Sequence, residues 1–82
     1  MLVPNGNLER IPHVTVTIRA DRVRALMADR HWSEKELAAA LGVNHSQVNR
    51  VLNGKRRPGA KFIAGMLRLG VPFETVFRYE ET

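Results

Sequence analysis

Residues 33–59 read SEKELAAALGVNHSQVNRVLNGKRRPG, and this stretch decides the fold of the chain. Ser33 and Glu36 have the spacing of a capping box, in which the serine hydroxyl accepts from the third helical amide and the glutamate accepts from the serine amide. A helix is therefore predicted to begin after Ser33. Its predicted buried face consists of Leu37, Ala38 and Leu41. Gly42 ends the helix, because glycine takes a positive φ without a Cβ clash.

A second helix follows after only three residues, Gly42-Val43-Asn44. Asn44 is its predicted N-cap, and Asn53-Gly54 ends it. Its predicted buried stripe consists of Val48, Val51 and Leu52. Two helices joined by a short glycine-containing turn form a helix-turn-helix unit. Ala38 is expected at the crossing of the two helices, where a larger side chain would hold them apart. The fixed angle would let the second helix protrude into a groove about 12 Å wide.

Before this unit, the pattern changes from strand to helix. Residues 1–12 contain two prolines, one glycine and two asparagines, which predict an irregular arm. Residues 13–19, HVTVTIR, alternate β-branched and polar side chains, as is typical of a half-buried strand. From about residue 21 to 31, apolar residues recur at helical spacing. This spacing predicts a helix, whose inner face consists of Val23, Leu26 and Met27.

After the unit, a further helix is predicted from about Ala60 to Leu69. Its expected apolar face consists of Phe62, Ile63, Met66 and Leu67. Pro72 suits the first turn of a short helical segment, PFETV. Residues 77–81, FRYEE, alternate weakly and could pair with HVTVTIR, since a lone strand leaves backbone groups unpaired. We expect one domain over residues 13–82, with a core at about 21–69.

Charge is unevenly distributed along the chain. There are 13 Lys and Arg against 8 Asp and Glu, and no acidic residue lies between Glu36 and Glu74. The basic residues of that interval are Arg50, Lys55, Arg56, Arg57, Lys61 and Arg68. A stretch of one sign within a folded region predicts a positive surface, suited to nucleic acid. From charge alone, a solvated face without a partner is an equally good interpretation.

The composition argues against several functions. The 82 residues contain no cysteine, and no two of the three histidines are four residues apart, so we predict no metal site. There is no glycine-rich phosphate loop, nucleophile elbow or HExxH motif, so we expect neither an enzyme nor a cofactor. No run approaches the roughly 20 apolar residues of a membrane span, and no secretory signal is visible. We expect a soluble, cytoplasmic protein of a bacterium or phage.

With these residues in view, the chain resembles the lambda-repressor-like, Cro/Xre-type helix-turn-helix domains over about residues 21–69. The matching pattern is Ala38, Gly42, Val43, Val48 and Val51, followed by the exit loop NGKRRP. The resemblance implies a mostly α domain of four to five helices with short terminal β-strands. Such domains commonly have a glycine just before the helix that here begins after Ser33. This chain has His31 in its place, and we expect it to strain that turn.

The resemblance implies that the exposed face of the helix after Gly42 binds double-stranded DNA. The candidate residues on this face are Asn44, His45, Ser46, Gln47, Asn49, Arg50 and Asn53. Similarity to the family places His45, Ser46 and Arg50 toward base edges. Arg50 suits guanine O6 and N7, and Asn49 or Gln47 suits adenine. For Asn44, helix capping is the leading alternative.

Lys55, Arg56 and Arg57 directly follow this helix. We expect them to bind phosphates, which adds affinity and sets register without reading sequence. The alternative is a flexible, solvated loop.

The predicted function is a sequence-specific regulator of transcription, most simply a repressor. One such helix contacts few base pairs, so we expect a homodimer with its reading helices about 34 Å apart. The strands or the PFETVF segment would form its interface. The alternative is an antitoxin that binds a toxin and represses its own promoter. A third possibility is an interaction module that does not bind DNA.

Overall fold

The computed structural model describes residues 14–81 and contains five helices and two strands. In chain order they are β1 (Val14–Ile18), α1 (Ala20–Arg30), α2 (Glu34–Leu41), α3 (His45–Leu52), α4 (Ala60–Arg68), α5 (Phe73–Val76) and β2 (Phe77–Glu81). This architecture confirms the predicted mostly α fold with short terminal strands. The predicted arm at residues 1–12, together with His13, lies outside the described residues.

The two terminal strands pair with each other. β1 and β2 are antiparallel, with Val16 opposite Tyr79 and Ile18 opposite Phe77. The pairing is extended by the Arg19 amide, which donates to the Val76 carbonyl at 2.7 Å. The pairing predicted from the alternation of HVTVTIR and FRYEE is therefore confirmed. The sheet joins the two ends of the described chain. Phe77, the first residue of β2, is buried in the core.

One apolar core is shared by all five helices and by β2. Its fully buried members are Val23, Leu37, Leu41, Val48, Val51, Phe62, Met66, Val76 and Phe77. The rings of Phe62 and Phe77 meet edge to face with centroids 6.1 Å apart, which connects α4 to β2. Each such buried aromatic or aliphatic side chain contributes about 1.5–3 kcal/mol relative to an exposed one. This shared core is what holds α2 and α3 in a fixed relation.

The buried side of α4 differs from the predicted one. Leu67 was expected on the apolar face, but 48% of it is exposed, and Ile63 is only half-buried. The residues that face inward are Phe62, Gly65 and Met66. The prediction was wrong for Leu67 because α4 presents its glycine to the backbone of α2. That close approach rotates the contact surface away from Leu67.

His31 has the predicted strained backbone. It caps the end of α1 in the left-handed conformation, at φ 56° and ψ 40°, and is the sole non-glycine residue with positive φ in the described part of the chain. Its amide donates to the Ala28 carbonyl at 3.2 Å, as expected of a helix C-cap. Because a Cβ in this conformation clashes with the following carbonyl, the turn carries a cost that glycine would avoid.

We expect His31→Gly to raise the free energy of unfolding by about 1 kcal/mol, the left-handed penalty less the greater unfolded-state entropy of glycine. Urea unfolding followed by circular dichroism measures this change. His31→Ala is the matched control, since it removes the imidazole but retains Cβ, and it should give no gain. If both variants were stabilised equally, the imidazole and not the backbone would be the source of strain.

Candidate nucleic-acid interface

The turn between α2 and α3 is closed by backbone hydrogen bonds. Gly42 adopts φ 77°, and its amide donates to the Ala38 carbonyl at 2.9 Å. The Val43 amide donates to the same carbonyl at 3.0 Å. Ala38 itself is 3% exposed, in keeping with its predicted place at the crossing of the helices. The helix-turn-helix geometry predicted from Ala38, Gly42 and Val43 is therefore present.

The N-terminus of α2 carries the predicted capping box. The Ser33 hydroxyl accepts from the Glu36 amide at 3.1 Å, and the Glu36 carboxylate accepts from the Ser33 amide at 2.9 Å. The hydrogen bond from the Ser33 backbone amide, followed by that with its side chain, lowers the pKa of Glu36 below its ordinary 4.5. Two backbone amides that have no acceptor within the helix are thereby hydrogen-bonded at the start of α2, the helix that supports α3.

The lowered pKa of Glu36 predicts a pH dependence of stability. A carboxylate whose pKa is lower when folded stabilises the protein above its unfolded pKa, and this contribution is lost as pH falls through the folded value. Glu36→Gln can still accept from the Ser33 amide but does not titrate there. We therefore expect the difference in melting temperature between parent and variant to shrink below about pH 4.5. A difference that stays constant from pH 7 to pH 3 would contradict this.

The N-terminus of α3 is capped by Asn44. Its Oδ1 atom accepts from the Gln47 amide at 2.8 Å and from the Ser46 hydroxyl at 2.9 Å. The predicted N-cap is confirmed, so the side chain of Asn44 has a structural function. Any contact of Asn44 with DNA remains a prediction.

The helix α3 has one buried and one exposed edge. Its buried residues are Val48, Val51 and Leu52. The predicted site residues that lie exposed on or beside it are Asn44, His45, Ser46, Asn49, Arg50 and Asn53. Gln47 differs, since it is half-buried and its Nε2 atom would lie 3.7 Å from a Cβ placed at Gly59. A polar edge thus faces outward while the apolar edge fixes the helix to the core.

The exit loop brings three further cations to the end of α3. The Lys55 amide donates to the Arg50 carbonyl at 2.8 Å, and Pro58 is buried, so the loop is attached at both ends. Lys55, Arg56 and Arg57 are all exposed. Within residues 14–81, neither these three side chains nor that of Arg50 makes a hydrogen bond or ion pair. Four exposed cationic groups, one on α3 and three in the loop that follows it, therefore lack a partner in this part of the chain.

Two residues at this surface were missed by the sequence analysis. The Arg24 guanidinium of α1 donates to the Leu52 carbonyl and to Asn53 Oδ1, each at 3.5 Å. Asn53 in turn donates to the Asn49 carbonyl at 2.9 Å, which closes the last turn of α3. The second missed residue is Glu34, at the start of α2. Its Oε1 atom accepts from Asn49 Nδ2 at 3.1 Å.

The described residues, 14–81, contain neither a metal-binding cluster nor a membrane-spanning helix. No group of three or more His, Cys, Asp or Glu side chains within residues 14–81 could hold a metal ion. In the same range, no helix is sufficiently long and apolar to cross a membrane.

A polar helix edge held outward by a second helix, with a cationic loop at its end, defines a helix-turn-helix domain. Comparison with known proteins agrees: a helix-turn-helix family model matches residues 23–69. An uncharacterised HTH-type transcriptional regulator of Bacillus subtilis (strain 168), YvzC, is 38% identical over 71 residues, which cover 85% of this chain and 92% of that protein. No solved structure matches the chain significantly.

The chain therefore belongs to the Cro/C1-type helix-turn-helix family, and the resemblance drawn from the sequence is confirmed. It is an HTH-type transcriptional regulator, a class that implies DNA binding.

Proposed function

We propose that this protein is a sequence-specific, double-stranded DNA-binding repressor that inserts α3 into the major groove. The observation that carries the proposal is the two-sided character of α3. Its apolar edge is fixed in the core, while its polar edge is exposed and continues into cations that have no partner among residues 14–81. Because a repressor of this kind acts on the chromosome, we propose that the protein is cytoplasmic.

Base reading is assigned to the outer edge of α3. Arg50 is exposed, and its planar guanidinium suits bidentate contact with guanine O6 and N7. Asn49 is assigned to adenine in preference to Gln47, because Asn49 is exposed whereas Gln47 is half-buried beside Gly59. His45 and Ser46, one turn earlier, are placed to reach neighbouring bases.

Phosphate binding is assigned to Lys55, Arg56 and Arg57. Their attachment to the end of α3 would place them beside the groove that α3 enters. Each phosphate neutralised steepens the dependence of log K on log salt by about 0.9. These contacts would fix the register of α3 on the duplex without reading its sequence.

We further propose a homodimer that pairs β1 or β2 across a two-fold axis. Each strand of the β1–β2 sheet has one edge that is unpaired in the described chain, and a second copy could satisfy those backbone groups. Two reading helices would double the number of bases read. Light scattering after size exclusion should give twice the chain mass, and a monomer at high concentration would count against this assembly.

The antitoxin alternative requires an apolar surface for a toxin. Leu67 and Tyr79 are the large hydrophobic side chains exposed within residues 14–81, at 48% and 60%. They lie on different elements, α4 and β2, and single exposed hydrophobics are ordinary on a protein surface. We therefore propose the regulator without a toxin partner.

Selection of bound duplexes from a random DNA pool tests the proposed function. The purified full-length protein is expected to enrich an inverted pair of short half-sites about one helical turn apart. A doubly substituted protein, Arg50→Ala with Arg57→Ala, serves as the control and should bind more weakly and enrich a consensus that lacks the base position read by Arg50. Failure of the parent protein to retain any duplex at low ionic strength would exclude DNA binding.

A further inference from the structure

Glu34 is an acidic side chain at the margin of a cationic surface. It is the first residue of α2, and its side chain is 24% exposed. It takes no part in the capping box, which Ser33 and Glu36 complete without it. A carboxylate so close to a DNA-binding helix opposes the approach of phosphates, so its presence there calls for a compensating function.

Its contacts suggest what that function is. The Oε1 atom of Glu34 accepts from Asn49 Nδ2 at 3.1 Å and lies 3.4 Å from His45 Nε2. Its other oxygen lies 3.9 Å from Arg24 Nη1 on α1. Exposed ion pairs of this kind add little stability. What they provide is orientation, because Arg24 holds one carboxylate oxygen and the two α3 side chains hold the other.

The chemistry of Glu34 determines which end of the Asn49 amide faces it. An ionised carboxylate only accepts hydrogen bonds, so it must face the NH₂ group and not the carbonyl oxygen. The Asn49 amide has two N–H donors and one acceptor oxygen. Glu34 takes one donor, which leaves Oδ1 and the second N–H available. These are the acceptor and the donor that bidentate recognition of adenine N6 and N7 requires.

We propose that Glu34 is a positioning residue for base specificity, which fixes the amide of Asn49 in its adenine-reading orientation before DNA binds. This inference rests on the proposed function. Without Glu34 the amide could rotate by half a turn and present its groups in the reverse order. Pre-orientation lowers the ordering cost of binding, and this gain applies only to the matching base.

The decisive variant is Glu34→Gln, which keeps the shape of the side chain but can both donate and accept. Either orientation of the Asn49 amide is then satisfied. Two equally favoured orientations halve the population that reads adenine, so on duplexes that differ only at the adenine contacted by Asn49 the preference for adenine should fall about twofold. Affinity for unrelated duplexes should hold or rise, because a negative charge has left the DNA-binding surface.

Glu36→Gln is the matched control, since it makes the same charge change two residues further along α2, and Glu36 bonds Ser33 instead of α3. It should leave the adenine preference unchanged. Asn49→Ala gives the reference for complete loss, and adding Glu34→Gln to it should cause no further loss of preference.

The outcomes separate this inference from the proposed function. If the parent protein binds a defined consensus and Glu34→Gln keeps the full adenine preference, the role of Glu34 is disproved and the regulator stands. If the parent protein binds no duplex, both fall. In NMR spectra of the free protein, the ¹H and ¹⁵N chemical shifts of the Asn49 side-chain amide should change in Glu34→Gln but not in Glu36→Gln. An unchanged Asn49 resonance in Glu34→Gln would also overturn the inference.

Discussion

Gly65→Ala is expected to unfold at a much lower temperature than the parent protein, although alanine is normally the better helix residue. Gly65 is buried on the side of α4 that faces α2. A Cβ at this position would lie 2.8 Å from the Leu41 carbonyl oxygen and 2.9 Å from Leu41 Cα. Both are backbone atoms, so the contact can be relieved only by moving one helix away from the other.

The size of the effect follows from two opposing contributions. In a helix interior, alanine is favoured over glycine by about 1 kcal/mol. Overpacking a core costs about 1–3 kcal/mol and more when backbone must shift. We expect a net loss of about 2 kcal/mol, which for a domain of this size lowers the melting temperature by roughly 10 °C. Calorimetry and urea unfolding measure it. DNA binding should weaken as well, because α2 supports α3.

Gly59→Ala is the control for this variant. It adds the same methyl group at the N-cap of the same helix, where the nearest atom, Gln47 Nε2, lies at an ordinary 3.7 Å. We expect it to change stability by less than about 1 kcal/mol, since glycine and alanine differ modestly at an N-cap. A Gly65→Ala protein as stable as the Gly59→Ala protein would show that α2 and α4 are not in backbone contact.

The features that could be predicted from sequence are those formed by residues close together in the chain. The capping box joins Ser33 and Glu36, three positions apart, and the cap that Asn44 makes with Gln47 has the same spacing. The turn at Gly42 depends on one backbone conformation that favours glycine. Such features have a signature in spacing and residue type, so the helix-turn-helix unit was predictable without any knowledge of its surroundings.

The features that could not be predicted depend on how separate elements meet. The pattern of α4 did not reveal that Gly65, and not Leu67, would face inward, because that depends on the rotation of α4 against α2. Polar contacts between helices are equally hidden. Glu34 bonds Asn49 fifteen residues away, and Arg24 reaches Asn53 across 29 residues. No periodicity links such pairs, so the part of the site that orients α3 became apparent only from the structure.

Arg50 and Arg57 should have different effects on DNA binding, although both are exposed arginines seven residues apart. Arg50 lies on the outer edge of α3, where, in the proposed complex, its side chain would meet base edges. Its replacement by alanine should remove about 1–3 kcal/mol of discrimination at one base position of each half-site, a change of roughly 5- to 150-fold. Preferences at the other positions should persist.

Arg57 lies in the exit loop, where, in the proposed complex, its side chain would meet phosphates. Arg57→Ala should weaken binding to matched and unrelated duplexes by the same factor. It should also flatten the slope of log K against log salt by about 0.9 per subunit. Titrations of one consensus duplex and its single-base variants, repeated at several salt concentrations, measure both quantities together.

The contrast between the two arginines is more informative than either loss alone. Both side chains lack partners within residues 14–81, so neither variant should alter the melting temperature, and stability cannot account for a change in binding. Equal, sequence-independent losses from both would mean that α3 lies along the phosphate backbone and does not enter the groove. A loss of base preference confined to Arg57→Ala would reverse the assigned roles and place the loop, in preference to α3, against the bases.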